Sequence, residues 1–217
     1  MLEQLSILHL AEVFVRAGGV EEGVFAEIAD DRRLRRLGMV LPALLIFPGT
    51  IATVLLYATL QGASNMDLSE TVLRQVVLGT VSGFGLWLFW MYLIGGGLGA
   101  VWGLEVNFGR LFGAAGFAAA PLLILWFYWI PEYFDPGAPD PFADIALGLL
   151  VVAGVAWVAY TIAAVREAVP GASERQATLA TLTSFVPVFA VFLYGGTHYA
   201  TMPWISAFTR AARLYIG

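Results

Sequence analysis

Long runs of apolar residues, each bounded by charged residues and free of charge inside, dominate the pattern along this chain. A helix that crosses a bilayer needs roughly 20 mostly apolar residues, and an unpaired charge at its centre is costly. Because the runs are continuous and do not alternate with polar residues, they favour helices over barrel strands. The pattern predicts an all-α polytopic membrane protein whose domain, residues 37–197, is a bundle of five transmembrane helices over about residues 37–60, 77–101, 111–130, 145–165 and 176–197.

Amphipathic segments flank the predicted bundle on both sides. In the segment 1–36, the first half places apolar side chains on one helical face and His9, Glu12 and Arg16 on the other. This pattern is typical of a helix that lies flat on a membrane surface, and the same face would equally cap the bundle. A second short helix is predicted over EEGVFAEIADDRRLRRL. The tail, residues 198–217, repeats the amphipathic pattern and is predicted to be interfacial on the outer side.

The arginines are distributed unequally between the two sides of the predicted bundle. All 11 basic residues are arginine, and most of them fall on the amino-terminal side. Positive residues accumulate on the cytoplasmic side of membrane proteins. The amino-terminus is therefore predicted to be cytoplasmic and the carboxyl-terminus outside, in a prokaryotic cytoplasmic or inner membrane. The cytoplasmic set is Arg16, Arg32, Arg33, Arg35, Arg36, Arg110, Arg166 and Arg175, and the outer set is Arg74, Arg210 and Arg213.

Composition narrows the classes of function. The 217 residues are 59% hydrophobic and 12% charged, with a net charge of −5 and no cysteine. Ordinary soluble domains are about 45–50% apolar and about 25% charged, so a soluble single-domain enzyme and a disordered chain are excluded. The acidic balance excludes nucleic acid as a partner, and the lack of cysteine excludes disulfides and thiolate metal sites.

Side chains that could carry chemistry are few. No catalytic motif is present, so we expect no enzyme, no catalytic residues and no metal site. His9 and His198 lie on opposite predicted sides of the membrane and cannot share a metal; His198 is the one candidate for cofactor binding, as a ligand of a pigment or haem. No cofactor is predicted, and a bound lipid or pigment stays open. Glu105, Asn107 and Arg110 share one predicted loop, where Glu105 and Arg110 could pair, but one carboxylate without a metal or base is a poor active site for a lipid enzyme.

Glycines recur at helical spacing in the second predicted span. Small residues at intervals of four let helix backbones approach closely inside a membrane. The spacing predicts a helix-packing face, used either within the bundle or as a seam for a second copy or a partner. The run Gly95–Gly97 also permits a bend or break, as do Pro121 and Pro187 in later spans. The predicted packing residues are Gly79, Gly83, Gly95, Gly99 and Gly103.

Two stretches of the chain resemble a known family. GVFAEIADDRRLRRL leads directly into the first span, and GGGLGAVWGLEVNFGRLFGAAGFAAAPLLI contains a glycine-phenylalanine turn with a proline one helical stretch later. Over about residues 20–197 these features resemble the prokaryotic branch of the Yip1 domain family. The motif residues are Asn107, Phe108, Gly109, Arg110, Gly113, Gly116 and Pro121.

The resemblance implies five spans, a cytoplasmic amino-terminus and a membrane-organising or scaffolding role. The chain lacks the long cytoplasmic leader and the aspartate-leucine-tyrosine-glycine signature of the eukaryotic relatives, so no small GTPase is expected as a partner.

Three hypotheses of function follow. We expect a non-enzymatic integral membrane protein that acts as a scaffold or accessory subunit through helix–helix packing, with the bilayer and either other membrane proteins or a second copy as partners. A narrower alternative is an accessory subunit of a respiratory or photosynthetic membrane complex, suggested by the 14% aromatic content. The other alternative is a channel or transporter for ions or small solutes, because broken helices could expose carbonyl groups near the midplane.

Overall fold

The structure, a computed structural model, describes the backbone of residues 7–60, 68–123 and 141–198 and the side chains of residues 8–47, 77–123 and 151–191. Its described residues form helices and no strands, which confirms the predicted all-α fold. The predicted tail beyond His198 lies outside the described residues. The helices are α1 (Ile7–Gly18), α2 (Val24–Asp30), α3 (Arg32–Leu60), α4 (Leu68–Trp102), α5 (Phe108–Phe117), a 3₁₀ helix (Ala120–Leu123), α6 (Pro141–Ala168) and α7 (Glu174–His198).

The predicted second short helix is divided in two at Asp31. The backbone of Asp31 is extended, and its side-chain oxygen Oδ1 accepts hydrogen bonds from the backbone N–H groups of Arg33 at 2.6 Å and Leu34 at 3.1 Å. A side-chain acceptor at this position satisfies N–H groups that a helix start leaves without partners. The arginine run therefore forms the first turns of α3 instead of closing a separate helix, and α3 begins five residues before the predicted first span.

The second long helix, α4, is continuous through Gly95–Gly97, where the sequence allowed a break. It ends where Gly103 adopts a left-handed conformation, with φ of 66°. The N–H of Gly103 donates to the carbonyl of Gly99 at 3.0 Å, which is the bond expected of a left-handed cap. Gly103, predicted as a packing residue, instead terminates the helix, because glycine adopts this conformation without a steric cost.

The third predicted span, residues 111–130, is not one continuous helix. The α-helix α5 ends at Phe117, and the chain continues as the 3₁₀ helix, which contains Pro121. Proline has no N–H to donate and disfavours helical geometry in the residue before it. The break that the sequence permitted at Pro121 is therefore present in the fold, whereas α7 runs continuously through Pro187. Residues 124–130 lie outside the described residues.

The fourth and fifth predicted spans each fall within one helix. The helix α6 covers 145–165 and extends to Ala168, and α7 covers 176–197. The start of α7 is a reciprocal cap, in which the Ser173 hydroxyl accepts from the Gln176 N–H at 3.3 Å and the Gln176 side chain accepts from the Ser173 N–H at 2.8 Å. Such a capping box satisfies two donors at once, so the register of α7 is set at its first turn.

The α4–α5 and α6–α7 connections and the start of α3 meet at one end of the bundle. Arg110 joins them, because its Nη1 lies 2.5 Å from Oδ1 of Asp30 and its Nε donates to the carbonyl of Ala168 at 3.3 Å. We call this the Arg-rich end. It gathers the eight arginines that the sequence assigns to one side: Arg16, Arg32, Arg33, Arg35, Arg36, Arg110, Arg166 and Arg175.

The main core lies between α4, α5, α6 and α7 and is built on aromatic rings. Trp90 of α4 packs edge-on against Trp157 of α6, with ring centroids 5.2 Å apart, and against Phe185 of α7 at 5.4 Å. Trp87, one turn earlier on α4, packs against Phe112 of α5 at 5.8 Å. Aromatic pairs at these separations add stabilisation beyond the area that they bury, so α4 is the central helix of this core.

The first helix packs against the bundle with one of its faces. Val13 and Ala17 are fully buried, and the Phe14 ring lies 6.4 Å from that of Phe117. The hydroxyl of Tyr160 donates to the carbonyl of Gly18 at 2.6 Å. The side of α1 that contains Val13, Phe14 and Ala17 therefore packs on the bundle, whereas Leu8 and Val15 of the predicted apolar face are exposed.

Two helices in the part of the chain with described side chains are long and apolar enough to cross a membrane: Val77–Trp102 in α4 and Val151–Ala168 in α6. Five were predicted. The third is interrupted after Phe117, the described part of α3 begins with its arginine run, and α7 begins with Glu174 and Arg175 followed by several hydroxyl side chains. The coarser prediction, an all-helical bundle with helices able to span a bilayer, agrees with the structure.

We expect the Asp31→Ala variant to lower the free energy of unfolding by about 1 kcal/mol, the usual loss for a helix N-cap. Thermal unfolding in detergent micelles, followed by circular dichroism, measures this change. Asp31→Asn is the matched control, because it keeps a side-chain oxygen and should stay close to the parent. Equal stability of the alanine variant and the parent would contradict the capping role.

Candidate functional site

The turn at residues 107–110, which belongs to the motif of the family resemblance, connects the start of α5 with the ends of α2 and α6. Asn107 caps α5, since its side-chain Oδ1 accepts from the Arg110 N–H at 3.2 Å. Arg110, held by this cap, pairs with Asp30 at the end of α2 and reaches the last turn of α6. The pairing that the sequence suggested between Glu105 and Arg110 is replaced by the Asp30 pair, and Glu105 is exposed. The turn acts as a clamp on neighbouring helix ends.

Glu167 makes a second clamp that the sequence did not reveal. Its side chain is only 9% exposed, and its carboxylate accepts from the backbone N–H groups of Gly23 at 3.2 Å, Phe25 at 3.0 Å and Ala26 at 3.3 Å. These donors are the otherwise unsatisfied N–H groups at the start of α2. A carboxylate is unfavourable in the last turn of its own helix, because it faces the negative end of the helix dipole. The amino-terminal end of α2 compensates for this.

Arg16 anchors the connection between α1 and α2. Its Nε lies 3.0 Å from a carboxylate oxygen of Glu21, and its Nη1 lies 2.9 Å from a carboxylate oxygen of Glu27. The hydrogen bonds that Arg16 donates to Glu21 and to Glu27 raise the pKa of Arg16 above its ordinary value. The guanidinium is therefore charged throughout the physiological range and holds two acidic side chains of the amino-terminal segment together.

The predicted glycine face of α4 is used inside the bundle. A Cβ on Gly83 would lie 3.1 Å from the Ile46 side chain of α3, and a Cβ on Gly95 would lie 2.6 Å from the ring of Phe108. Gly99 approaches the carbonyl of Leu104, and Gly79 is buried. Among these residues, Gly83 and Gly95 therefore make room for neighbouring side chains of the same chain.

The closest helix approach is at three other glycines, where α3 crosses α5. A Cβ on Gly116 would overlap the carbonyl oxygen of Gly38, and one on Gly38 would overlap the carbonyl oxygen of Gly113. A Cβ on Gly113 would lie 2.7 Å from the Cα of Arg35. The two backbones are in direct contact here, as small residues allow in membrane helices. Gly113 and Gly116 stand in the family motif, whereas Gly38, a lone glycine after the arginine run, gives no repeat that spacing could detect.

The outward face of α4 is open. A Cβ on Gly85 or Gly96 would meet nothing within 4 Å. These two glycines are eleven residues apart, which is close to three turns, so they lie on one face of the helix. Phe89 and Tyr92 are exposed between them. This face, which we call the α4 outer face, combines two aromatic side chains with two positions that have space for another helix.

The described interior contains a few polar groups without partners. The indole N–H of Trp90 donates to the carbonyl of Thr181 at 3.3 Å, but the indole N–H groups of Trp87 and Trp157 and the hydroxyl of Thr181 have no protein partner. A buried polar group left unpaired costs about 1–3 kcal/mol. Of the described groups in this core, these are the ones that could bond to a ligand or an internal water molecule.

Candidate ligands for a metal or cofactor are scattered in the described part of the chain. No group of three or more His, Asp or Glu side chains there could hold a metal ion. His9 lies on the exposed side of α1, with its Nδ1 3.9 Å from a carboxylate oxygen of Glu12. His198, the candidate pigment ligand, is the last residue of α7, and its side chain lies outside the described residues.

Comparison with known proteins gives no relative whose site could be compared with this one. No family model, curated protein or solved structure matches the chain.

We expect Gly116→Ala to lower the free energy of unfolding by about 3 kcal/mol, since the added methyl group forces the α3 and α5 backbones apart. Gly96→Ala is the matched control: it fills open space and should raise stability by roughly 0.5–1 kcal/mol through helix propensity. Denaturant titration in detergent, followed by circular dichroism, measures both changes. Similar stabilities for the two variants would contradict the close crossing.

Proposed function

We propose that the protein is a non-enzymatic integral membrane protein with five spans and a cytoplasmic amino-terminus, which acts as a scaffold or accessory subunit through its helix surfaces. The observation that carries this proposal is the outward exposure of its apolar helices. Only 33% of the residues are buried in an apolar 18-residue window of Val77–Trp102, and only 28% in the 18 residues of Val151–Ala168. A core helix of a soluble protein buries most of its apolar surface, whereas a helix in a bilayer can expose apolar side chains to lipid, which is as apolar as they are.

The exposed apolar side chains form a belt beyond the Arg-rich end. On a soluble monomer, so many exposed large apolar side chains would favour aggregation, whereas the hydrocarbon of a bilayer would cover them without a cost in free energy. The belt includes Val40, Leu44 and Phe47 of α3, Val81, Phe89 and Tyr92 of α4, Val151, Val152 and Val155 of α6, and Leu179, Leu182 and Val186 of α7.

The charge distribution supports the proposed orientation. The arginines of the Arg-rich end lie where positive residues face the cytoplasm in membrane proteins. Arg16, Arg110 and Arg166 pair with carboxylates, and Arg32 and Arg36 at the start of α3 are exposed. In the proposed orientation this end lies among the cytoplasmic headgroups and in the water beside them, together with α1 and α2.

The scaffold role is supported by the α4 outer face. Helix association in membranes depends on close packing and not on hydrophobicity, so positions that accept a neighbouring backbone determine where a partner binds. Gly85 and Gly96 are such positions, because nothing in the chain occupies the space beside them. The resemblance to the Yip1 domain family points to the same kind of role and stays a prediction.

Labelling from the two sides of the membrane tests the location and orientation. Because the chain has no cysteine, Glu22→Cys and Ala138→Cys each introduce one thiol, in the α1–α2 connection and in the predicted outer loop. In intact cells an impermeant maleimide should label Ala138→Cys, and it should label Glu22→Cys only after permeabilisation. Labelling of both positions from the same side would contradict five spans.

The size of the particle in mild detergent tests the scaffold role. We expect the parent to purify with more than one polypeptide per particle, either a second copy or another membrane protein. Gly96→Leu should reduce the particle to a single chain, because its side chain fills the space that a partner helix needs. Gly154→Leu, at an open position on α6, is the control and should leave the particle unchanged. A parent particle that contains one chain would contradict this role.

A further inference from the structure

The surface of α1 that faces away from the bundle is apolar. Leu8 and Val15 are 80% and 73% exposed, although each belongs to the residue types that are usually buried. They are seven residues apart, so they lie on one face to within about 20°, and Ala11 is exposed between them. We call these three residues the outer strip of α1. The buried Val13 and Ala17 lie on the opposite side of the helix.

Three sectors follow one another around α1 at about 100° per residue. The first packs on the bundle and contains Val13 and Ala17. The second is the outer strip. The third sector is polar and lies between the outer strip and the packed side of the helix. In it, His9 and Glu12 are exposed, and Arg16 is paired with Glu21 and Glu27. A helix at the boundary between acyl chains and water needs an apolar sector beside a polar one, and α1 has both in addition to its packed face.

The contacts of α1 give its depth relative to the apolar belt. It packs against Phe117 and contacts the 3₁₀ helix. On α3, the neighbours of these residues run from Gly38, which touches Gly116, to Leu45, which packs with Leu122. This part of α3 begins just beyond Arg36, the last exposed charge on that helix. The outer strip therefore lies where the surface of the bundle changes from charged to apolar.

The distance from the last exposed charge to the first exposed apolar side chains can be measured along α3. Val40 and Leu44 are exposed one and two turns beyond Arg36, or about 6 Å and 12 Å at about 1.5 Å per residue. Interfacial helices bury their apolar face roughly 5–10 Å into the boundary between headgroups and acyl chains. The position of α1 relative to the charged and apolar parts of α3 therefore agrees with the depth at which interfacial helices lie in a bilayer.

We propose that α1 is an interfacial helix of the folded bundle, with its outer strip inserted among acyl chains and its polar sector directed to the water. This inference deepens the proposed function and rests on the membrane location proposed there. The occupant is lipid because the outer strip lies at the level at which α3 changes from exposed arginine to exposed Val40 and Leu44, and because the polar sector beside the strip includes Arg16 of the Arg-rich end.

Quenching by brominated lipids tests the proposal on the full chain. Single cysteines at Leu8, Val15, Val155 and Glu22 are labelled with bimane, and each protein is reconstituted into phosphatidylcholine vesicles with ordinary or brominated acyl chains. We expect bromine to lower the emission at Leu8 and Val15 roughly twofold, comparable with Val155 in the belt. Glu22, in the exposed α1–α2 connection, should be unaffected.

The controls separate this proposal from the one on which it rests. Quenching at Val155 without quenching at Leu8 and Val15 would overturn the interfacial position and leave the membrane location intact. Loss of quenching at Val155 as well would overturn the membrane location. Blue-shifted emission at Val15 that bromine does not quench would mean that a protein covers the strip, which also overturns the proposal. Val13→Cys should resist labelling, and its modification would contradict the packing of α1 on the bundle.

Discussion

Direct contact between the backbones of α3 and α5 is the constraint on which the rest of the fold depends. At Gly38, Gly113 and Gly116 no side chain separates the two helices, so α5 lies against the first turns of α3 instead of beside its middle. This approach brings the amino-terminal turn of α5 next to the end of α2, where Arg110 can reach Asp30. It also places Phe117 where α1 can pack on it. Loss of the crossing would therefore displace α5, the helix on which α1 and α2 pack.

Polar and apolar groups are separated along the helices, with the polar groups at the Arg-rich end and the exposed apolar side chains in the belt beyond it. Polar groups at the Arg-rich end are used to satisfy helix ends, as Glu167 does for α2 and Asn107 for α5. Beyond that end, the helices expose valine, leucine and phenylalanine. Among the described side chains, ion pairs lie at one end and apolar side chains are exposed along the helices, which fits a solvent that changes from water to hydrocarbon over a short distance.

The features that periodicity and charge determine could be predicted from the sequence, and those set by contacts between distant residues could not. Long uncharged runs predicted both ends of α6 and α7 to within four residues, because helix formation there depends on local apolar character, whereas α4 begins nine residues before its predicted span. Asp31 was read as part of a helix, although its oxygen starts the next one. Gly38 belongs to no glycine repeat, and its partners Gly113 and Gly116 lie 75 and 78 positions further along the chain, so spacing could not predict this contact. Glu167 could not be assigned, since its three donors belong to α2.

The bond between Glu167 and the start of α2 has a consequence for the order of assembly during synthesis. The donor residues, Gly23, Phe25 and Ala26, leave the ribosome more than 140 residues before their acceptor. Until α6 has been made, α2 has no carboxylate at its amino-terminal end and α1 has no Tyr160 to hold Gly18. Contacts between residues so far apart in the chain form late. The helices α1 and α2, which are synthesised before the other described helices, are therefore among the last to reach their final place.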